Sequence, residues 1–140
     1  MTSPLYLLDT NTVSYFVKGS FPELNSRIQQ KPMESLVIST VTLAELRFWV
    51  SNRPEHARVR VLVDNFLIRV PALAWDAPAA DTYGELKARL KQIGRPVAGL
   101  DLLIAAHSLS LNAILISHDQ VFKQIPDLRT EDWVGENHND

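Results

Sequence analysis

The 140-residue chain has no cysteine, so disulfides and thiolate metal sites are excluded. No apolar run approaches the roughly 20 residues needed to cross a bilayer. The chain does not start with a basic stretch leading into a long apolar core, the pattern of a secretory signal. These absences predict a soluble, unexported protein of the cytoplasm with no membrane partner. Glycine is sparse, at five residues, and no repeat, linker or low-complexity stretch interrupts the chain. One domain over residues 1–140 is therefore predicted, with residues 134–140 as a frayed tail. A strong net charge is also missing. The balance of -2 gives no obvious case for a polyanionic partner.

What is present changes that impression. Hydrophobic residues make up 46% of the chain, enough for a real core at this length. From Asp127 onward stand five acids and one base, which leaves 11 acids and 13 bases before it. Four of those acids form a pattern of their own, described below, and without them the body holds 13 bases against seven acids. Arg53, Arg58 and Arg60 lie on one segment, and Lys87, Arg89, Lys91 and Arg95 on another. A basic surface around an acidic pocket suits a phosphate-bearing polymer bound through a metal. Taken singly, each cation also reads as part of a solvated helix face.

Short apolar runs alternate with longer amphipathic stretches. Leu5 to Leu8, Leu36 to Ser39 and Ala113 to Ile116 read as buried strands. Val70 to Leu73 reads as a third strand, pushed to an edge by Pro71. Leu128 to Trp133 reads as a last strand or extended tail. Helices are predicted after Thr10, Asn11 or Thr12 as cap up to Gly19, over Pro22 to Gln30, over Thr42 to Asn52, and over Pro54 to Ile68. In that last helix Val59, Leu62, Val63 and Phe66 are expected to face inward. Two more are predicted from Asp76 to Gly94 and from Gly99 to Asn112, with one turn from Asp119 to Lys123. Alternation of this kind predicts an α/β fold with a central, mostly parallel sheet of four to five strands and helices on both faces.

Four carboxylates recur at one kind of place in this pattern. Asp9 closes the first strand, Glu45 follows the second, Asp101 opens a helix, and Asp119 follows the strand ending at Ile116. In a parallel sheet, strand C-terminal ends and helix starts share one edge, where ligands bind. Each acid has a structural explanation as well. Asp9 can make an Asx-turn or cap the next helix. Thr42 to Glu45 matches a capping box. Asp101 suits the positive end of a helix dipole, and Asp119 can cap a turn. Together they would repel one another unless a cation or protons intervene. A hard divalent ion bound by oxygen ligands is the simplest remedy, and its bound water could attack a phosphodiester. Asn11, Ser117 and His118 add polar groups to the same rim. Arg95 precedes the Asp101 helix, from where it could reach a phosphate or remain a solvated loop residue.

These segments resemble the motifs of the PIN-domain family, in particular its VapC-type toxins. Leu7 to Asn11, Ser39 to Leu46, Gly94 to Pro96 with Asp101 to His107, and Ser117 to Phe122 are similar to its four motifs in order. Leu128 to Trp133 resembles the ending of the branch that cuts the anticodon loop of initiator tRNA. The resemblance implies a PIN-like three-layer α/β/α fold. It also implies a metal-dependent endoribonuclease, with Asp9, Glu45, Asp101 and Asp119 holding Mg²⁺ or Mn²⁺ and Asn11 in support. A homodimer and a neutralising VapB-type antitoxin, whose C-terminal segment fills the groove beside the site, are implied with it. Ser117 stands where the family has Thr or Ser, whereas His118 replaces the usual Asn. Two other readings stay open on the residues alone. One is a PIN-like module that binds RNA or protein without cutting. The other is a receiver-type phosphoacceptor domain, although no Lys follows a late strand as that chemistry needs. His107, well off the Asp101 face, is read as a structural histidine. Phe48 and Trp49 are read as core or dimer contacts, or as a platform for an antitoxin helix. Trp75 and Tyr83 are assigned to packing, and His56 and His138 to the surface.

Overall fold

A computed structural model describes residues 3–97 and 99–135. Five strands, Tyr6–Leu8 (β1), Leu36–Ser39 (β2), Ala72–Leu73 (β3), Ile114–Ile116 (β4) and Thr130–Glu131 (β5), pair in the order β3-β2-β1-β4-β5. Every pairing is parallel, with Leu7 opposite Val37 on one side and Leu115 on the other. Six helices connect them: Thr10–Lys18 (α1), Pro22–Gln30 (α2), Thr40–Ser51 (α3), His56–Arg69 (α4), Ala77–Gln92 (α5) and Gly99–Ser110 (α6). Short 3₁₀ turns lie at Met33–Ser35 and Gln120–Gln124.

The strands are apolar on both sides because helices cover both faces. Alternate residues face opposite layers. Tyr6, Leu8, Leu36, Ile38 and Ile116 pack with Val13, Leu24, Leu46, Val63 and Phe66 from α1 to α4. Leu7, Val37 and Leu115 pack with Leu86, Leu90, Leu102 and Ala106 from α5 and α6. Each fully buried Leu contributes about 1.5–3 kcal/mol. The expected three-layer α/β/α architecture is thus observed, with the sheet parallel throughout the described residues.

Several local expectations are corrected. The cap of α1 is Asp9 itself, whose Oδ1 accepts from the Thr12 amide at 2.9 Å, not one of the three residues after it. Gly19 ends α1 in the left-handed conformation at φ 68, as a C-terminal glycine suits. α3 begins two residues earlier than expected, because the Ser39 hydroxyl accepts from the Val41 amide at 3.0 Å. Thr42 therefore lies inside the helix, and the capping-box role for Glu45 does not hold. α4 begins at His56 rather than Pro54, and Leu62 points outward at 38% exposure while Val59, Val63 and Phe66 are buried. Pro71 does precede an edge strand, and Asp76 does cap α5 through the Ala79 amide.

The chain after β5 is held firmly. Trp133 is 2% exposed, packs on Tyr6 at 5.1 Å between ring centroids, and donates from Nε1 to Glu131 at 2.8 Å. Val134 donates its amide to Asp132 at 3.0 Å. Of the tail expected to fray, residues 136–140, His138 among them, lie outside the described residues, as does Ala98 in the loop before α6.

Candidate active site

The strand order reverses at β1. The chain leaves β1 towards β2 on one side and later enters β4 on the other. Such a switch point opens a crevice at the strand C-terminal ends. Asp9 emerges from β1 at that crevice and Asp119 follows β4 beside it, with the Asp9 amide donating to the Ile116 carbonyl at 3.1 Å. Helices in a parallel sheet run against the strands, so the starts of α3 and α6 arrive at the same edge. They bring Glu45 on the second turn of α3 and Asp101 on the first turn of α6.

The carboxylates at this edge bear on Asp9 and Asp101. Burial pushes the Asp9 carboxyl above the ordinary range, against hydrogen bonding from Ser117 and Thr12, and the charge of Asp119 adds to the rise. Asp101 is raised as well, first by burial and then by the charges of Asp119, Asp9 and Glu45. None of the four is paired with a Lys or Arg among the described residues. An all-oxygen, like-charged set without a protein cation is the donor chemistry of a hard divalent ion. As the side chains stand, no three His, Asp or Glu groups among the described residues are close enough to ligate one ion directly. A magnesium-type ion that keeps several waters needs only one or two direct carboxylates.

The supporting residues fall into two groups. Ser117, buried, holds the fourth-acid loop by accepting the Asp119 amide at 3.0 Å, and Asp119 caps the following turn through the Val121 amide at 2.9 Å. His118 turns outward, its Nδ1 2.7 Å from Asp132 Oδ2. Asn11 is exposed on the first turn of α1, lining a groove that runs past Glu45. Arg95 donates to the Gln124 carbonyl at 3.4 Å, which places its loop beside the segment after Asp119. Of the other cations, Arg53 pairs with Glu55 at 3.2 Å and Arg89 with Asp127 at 3.0 Å, both at the surface.

Sequence reading passed over some residues that shape this site. Thr10 donates to Glu45 Oε1 and lies 3.2 Å from the Thr42 hydroxyl, tying α1 to α3. Thr12 donates its hydroxyl to the Ile116 carbonyl at 3.1 Å, fixing the start of α1 to β4. Their position beside Asp9 is the only signal the sequence offered. His107, structural as expected and 1% exposed, sits 2.8 Å from the Ser39 hydroxyl. Burial lowers its pKa, while the charge of Asp76 and hydrogen bonding to the Ala74 backbone pull it up. His107 thereby joins α6, which carries Asp101, to the cap of α3, which carries Glu45. Trp75 adds to this clamp through its Nε1 bond to the Leu103 carbonyl at 2.9 Å and its contact with Tyr83 at 6.0 Å.

An α/β/α protein with four unpaired carboxylates at its switch point is a candidate metal-assisted hydrolase. Comparison with known proteins sharpens that class. Residues 6–128 match the PIN domain, and the chain belongs to the PIN-domain family. Its relatives there include Ribonuclease VapC1 of Haemophilus influenzae, 37% identical over 93% of this chain and 98% of that protein. The tRNA(fMet)-specific endonuclease VapC of Shigella flexneri is 32% identical over 91% and 97% of the two chains. The DNA-bound VapBC structure from Salmonella typhimurium superposes with a TM-score of 0.87 at 30% identity, covering 94% of this chain and 99% of the matched one. No described helix is long and apolar enough to cross a membrane.

Proposed function

We propose that this protein is a VapC-type endoribonuclease, the toxin of a toxin–antitoxin pair, which hydrolyses RNA phosphodiester bonds with a divalent metal. The observation that carries the reading is the convergence of the charges of Asp9, Glu45 and Asp119 on Asp101 at one sheet edge, in a chain whose relatives are named ribonucleases. Asp9 and Asp101 would hold Mg²⁺ or Mn²⁺, with Glu45 and Asp119 engaging it directly or through its waters. The ion, when bound, supplies a water of lowered pKa and stabilises charge on the leaving oxygen. Thr10 fixes the direction of the Glu45 carboxylate. Ser117 fixes the loop that bears Asp119, with His118 in a supporting position at the rim, and Arg95 contributes a phosphate contact. Burial of Asp9 raises its affinity for a cation by the same desolvation that makes its bare charge unfavourable.

The substrate fits single-stranded or looped RNA, whose bases can be splayed out beside the cleaved bond. A tRNA is the target, initiator tRNA by likeness to the tRNA(fMet)-specific endonuclease of Shigella flexneri and its anticodon loop by the resemblance of Leu128 to Trp133. The solved VapBC complexes support a VapB-type antitoxin as inhibitor, and a cytoplasmic homodimer completes the reading. The test is to incubate purified protein with total RNA in Mg²⁺ or in EDTA and to map new RNA ends. Discrete ends in one tRNA population that appear only with Mg²⁺ support the proposal. Intact RNA under both conditions refutes it.

A further inference from the structure

Resting on the ribonuclease reading, we infer that the exposed ring of Phe48 is a base-stacking platform for the nucleotide beside the cleaved bond, and that Lys18 and Arg53 take the adjoining phosphates. A groove of about 600 Å³ runs from the acid site along α3, lined by Thr10, Asn11, Glu45, Phe48, Trp49 and Leu100. That volume lies within the usual range of small-ligand pockets. Glu45, Phe48 and Trp49 are spaced i, i+3, i+4 on α3, so they share one face, and the Phe48 backbone lies about 4.5 Å along the helix axis from that of Glu45. Phe48 is 69% exposed, although it borders an otherwise catalytic crevice.

The charges beside it favour a polyanion. Lys18 Nζ lies 5.8 Å and Arg53 Cζ 5.4 Å from the Trp49 ring centroid, so cation–π contacts hold two cations on Trp49, which itself lines the groove. Lys18 has no carboxylate within ion-pairing distance among the described residues. Arg53 pairs with Glu55 through Nη2, and its buried Nε has no partner among the described residues. The groove thus presents the Glu45 carboxylate of the acid site and the Phe48 ring, with two cations held on Trp49 beside them. Metal, base and phosphate of a single RNA strand need those chemistries. The exposed Asn11 side chain from α1 supplies a polar group for a ribose or a base edge.

The experiment uses the intact protein with Mg²⁺ and a short single-stranded RNA containing its cleavage site, alongside the same RNA made abasic at the flanking nucleotide. Steady-state cleavage is measured for wild type, Phe48→Ala, Phe48→Trp and the double variant Lys18→Gln/Arg53→Gln. Stacking losses on alanine substitution run near 10-fold per base, so Phe48→Ala should raise KM about 10-fold with kcat kept, and Phe48→Trp should restore it. The abasic RNA should show the same loss with wild type and no further loss with Phe48→Ala. The double variant should flatten the salt dependence of binding by about 1.4 in log–log slope, at roughly 0.7 for each lost phosphate contact. Wild-type KM in Phe48→Ala overturns the platform. So does an equal loss on both RNAs with a change of oligomeric state in sedimentation, which marks Phe48 as a contact between copies. Unchanged cleavage with lost antitoxin inhibition likewise overturns it in favour of a protein-binding face. A wild type that cleaves no RNA at all refutes the ribonuclease reading instead, and so is distinguishable from these.

Discussion

Replacing Asp9 by Asn should abolish cleavage while making the metal-free protein more stable. Asp9 is 5% exposed, has no Lys or Arg partner among the described residues, and is raised in pKa first by burial. Its charge is therefore unfavourable to the fold in the absence of a cation. Asn is as good a helix cap as Asp, so the Thr12 amide keeps its acceptor. The new amide N–H₂ can donate to the Ser117 hydroxyl. Relief of this kind of unfavourable site typically returns about 0.5–2 kcal/mol. At about 2.1 cal/mol/K per residue, that raises Tm by roughly 2–7 °C. The pH dependence follows from the direction of the shift. Above the ordinary value of 3.8 the folded chain holds the Asp9 proton longer than the unfolded one. Wild-type stability therefore falls as pH rises through the window between those two values. Below 3.8 both states are protonated, so the variant's advantage should vanish there and be full at neutral pH. Scanning fluorimetry in EDTA across this range is the assay. Mg²⁺ at 100 times its Kd should then stabilise wild type by about 2.7 kcal/mol and leave the variant unmoved. An Asp9→Asn protein that melts lower than wild type in EDTA at neutral pH would refute the reasoning.

Other predictions address the clamp and the rim. His107→Ala opens a cavity and leaves the Ser39 hydroxyl with the Val41 amide as its one remaining partner, so it should cost about 2–4 kcal/mol at pH 7 by urea denaturation. Because burial depresses the His107 pKa, the unfolded chain takes up a proton below 6.5 before the folded one does. Wild-type stability should therefore drop as pH falls below 6.5, by at most about 1.4 kcal/mol per unit, relative to the variant. Asp132→Ala breaks a half-exposed pair with His118 and should cost no more than about 1 kcal/mol. It should nevertheless raise the Mg²⁺ concentration for half-maximal cleavage, because the loop bearing Asp119 loses an anchor.

The strands were legible because short apolar runs bounded by polar or turn residues admit few other readings, as at Leu36 to Ser39. Gathering the acids at one edge was legible too, since helix starts and strand ends meet there in any parallel sheet. The order of the strands was not, because pairing β1 with β4 brings Tyr6 against Ile114 with no local signature. The start of α3 was misplaced because two cap patterns compete within a few residues, and Ser39, ending a buried strand, prevails over Thr42. Leu62 was misjudged because α4 is covered along a narrower stripe than its apolar positions suggest. Contacts such as Thr10 to Glu45, Ser39 to His107 and His118 to Asp132 join distant segments, so only the folded chain reveals them. The spread of the carboxylates, too wide for direct ligation by three at once, is likewise a property of packed helices rather than of spacing.

The central claim is that the four acids act as one metal site for RNA cleavage. Its most direct test is the rate of RNA cleavage against Mg²⁺ concentration for wild type and for Asp9→Asn, Glu45→Gln, Asp101→Asn and Asp119→Asn. The account predicts wild-type cleavage that vanishes in EDTA. It also predicts losses of at least about 100-fold for Asp9→Asn and Asp101→Asn, the scale expected when a metal catalyst is removed. Smaller losses that high Mg²⁺ partly restores are expected for the other two. Undiminished cleavage in EDTA, or by folded Asp9→Asn and Asp101→Asn proteins, would contradict it.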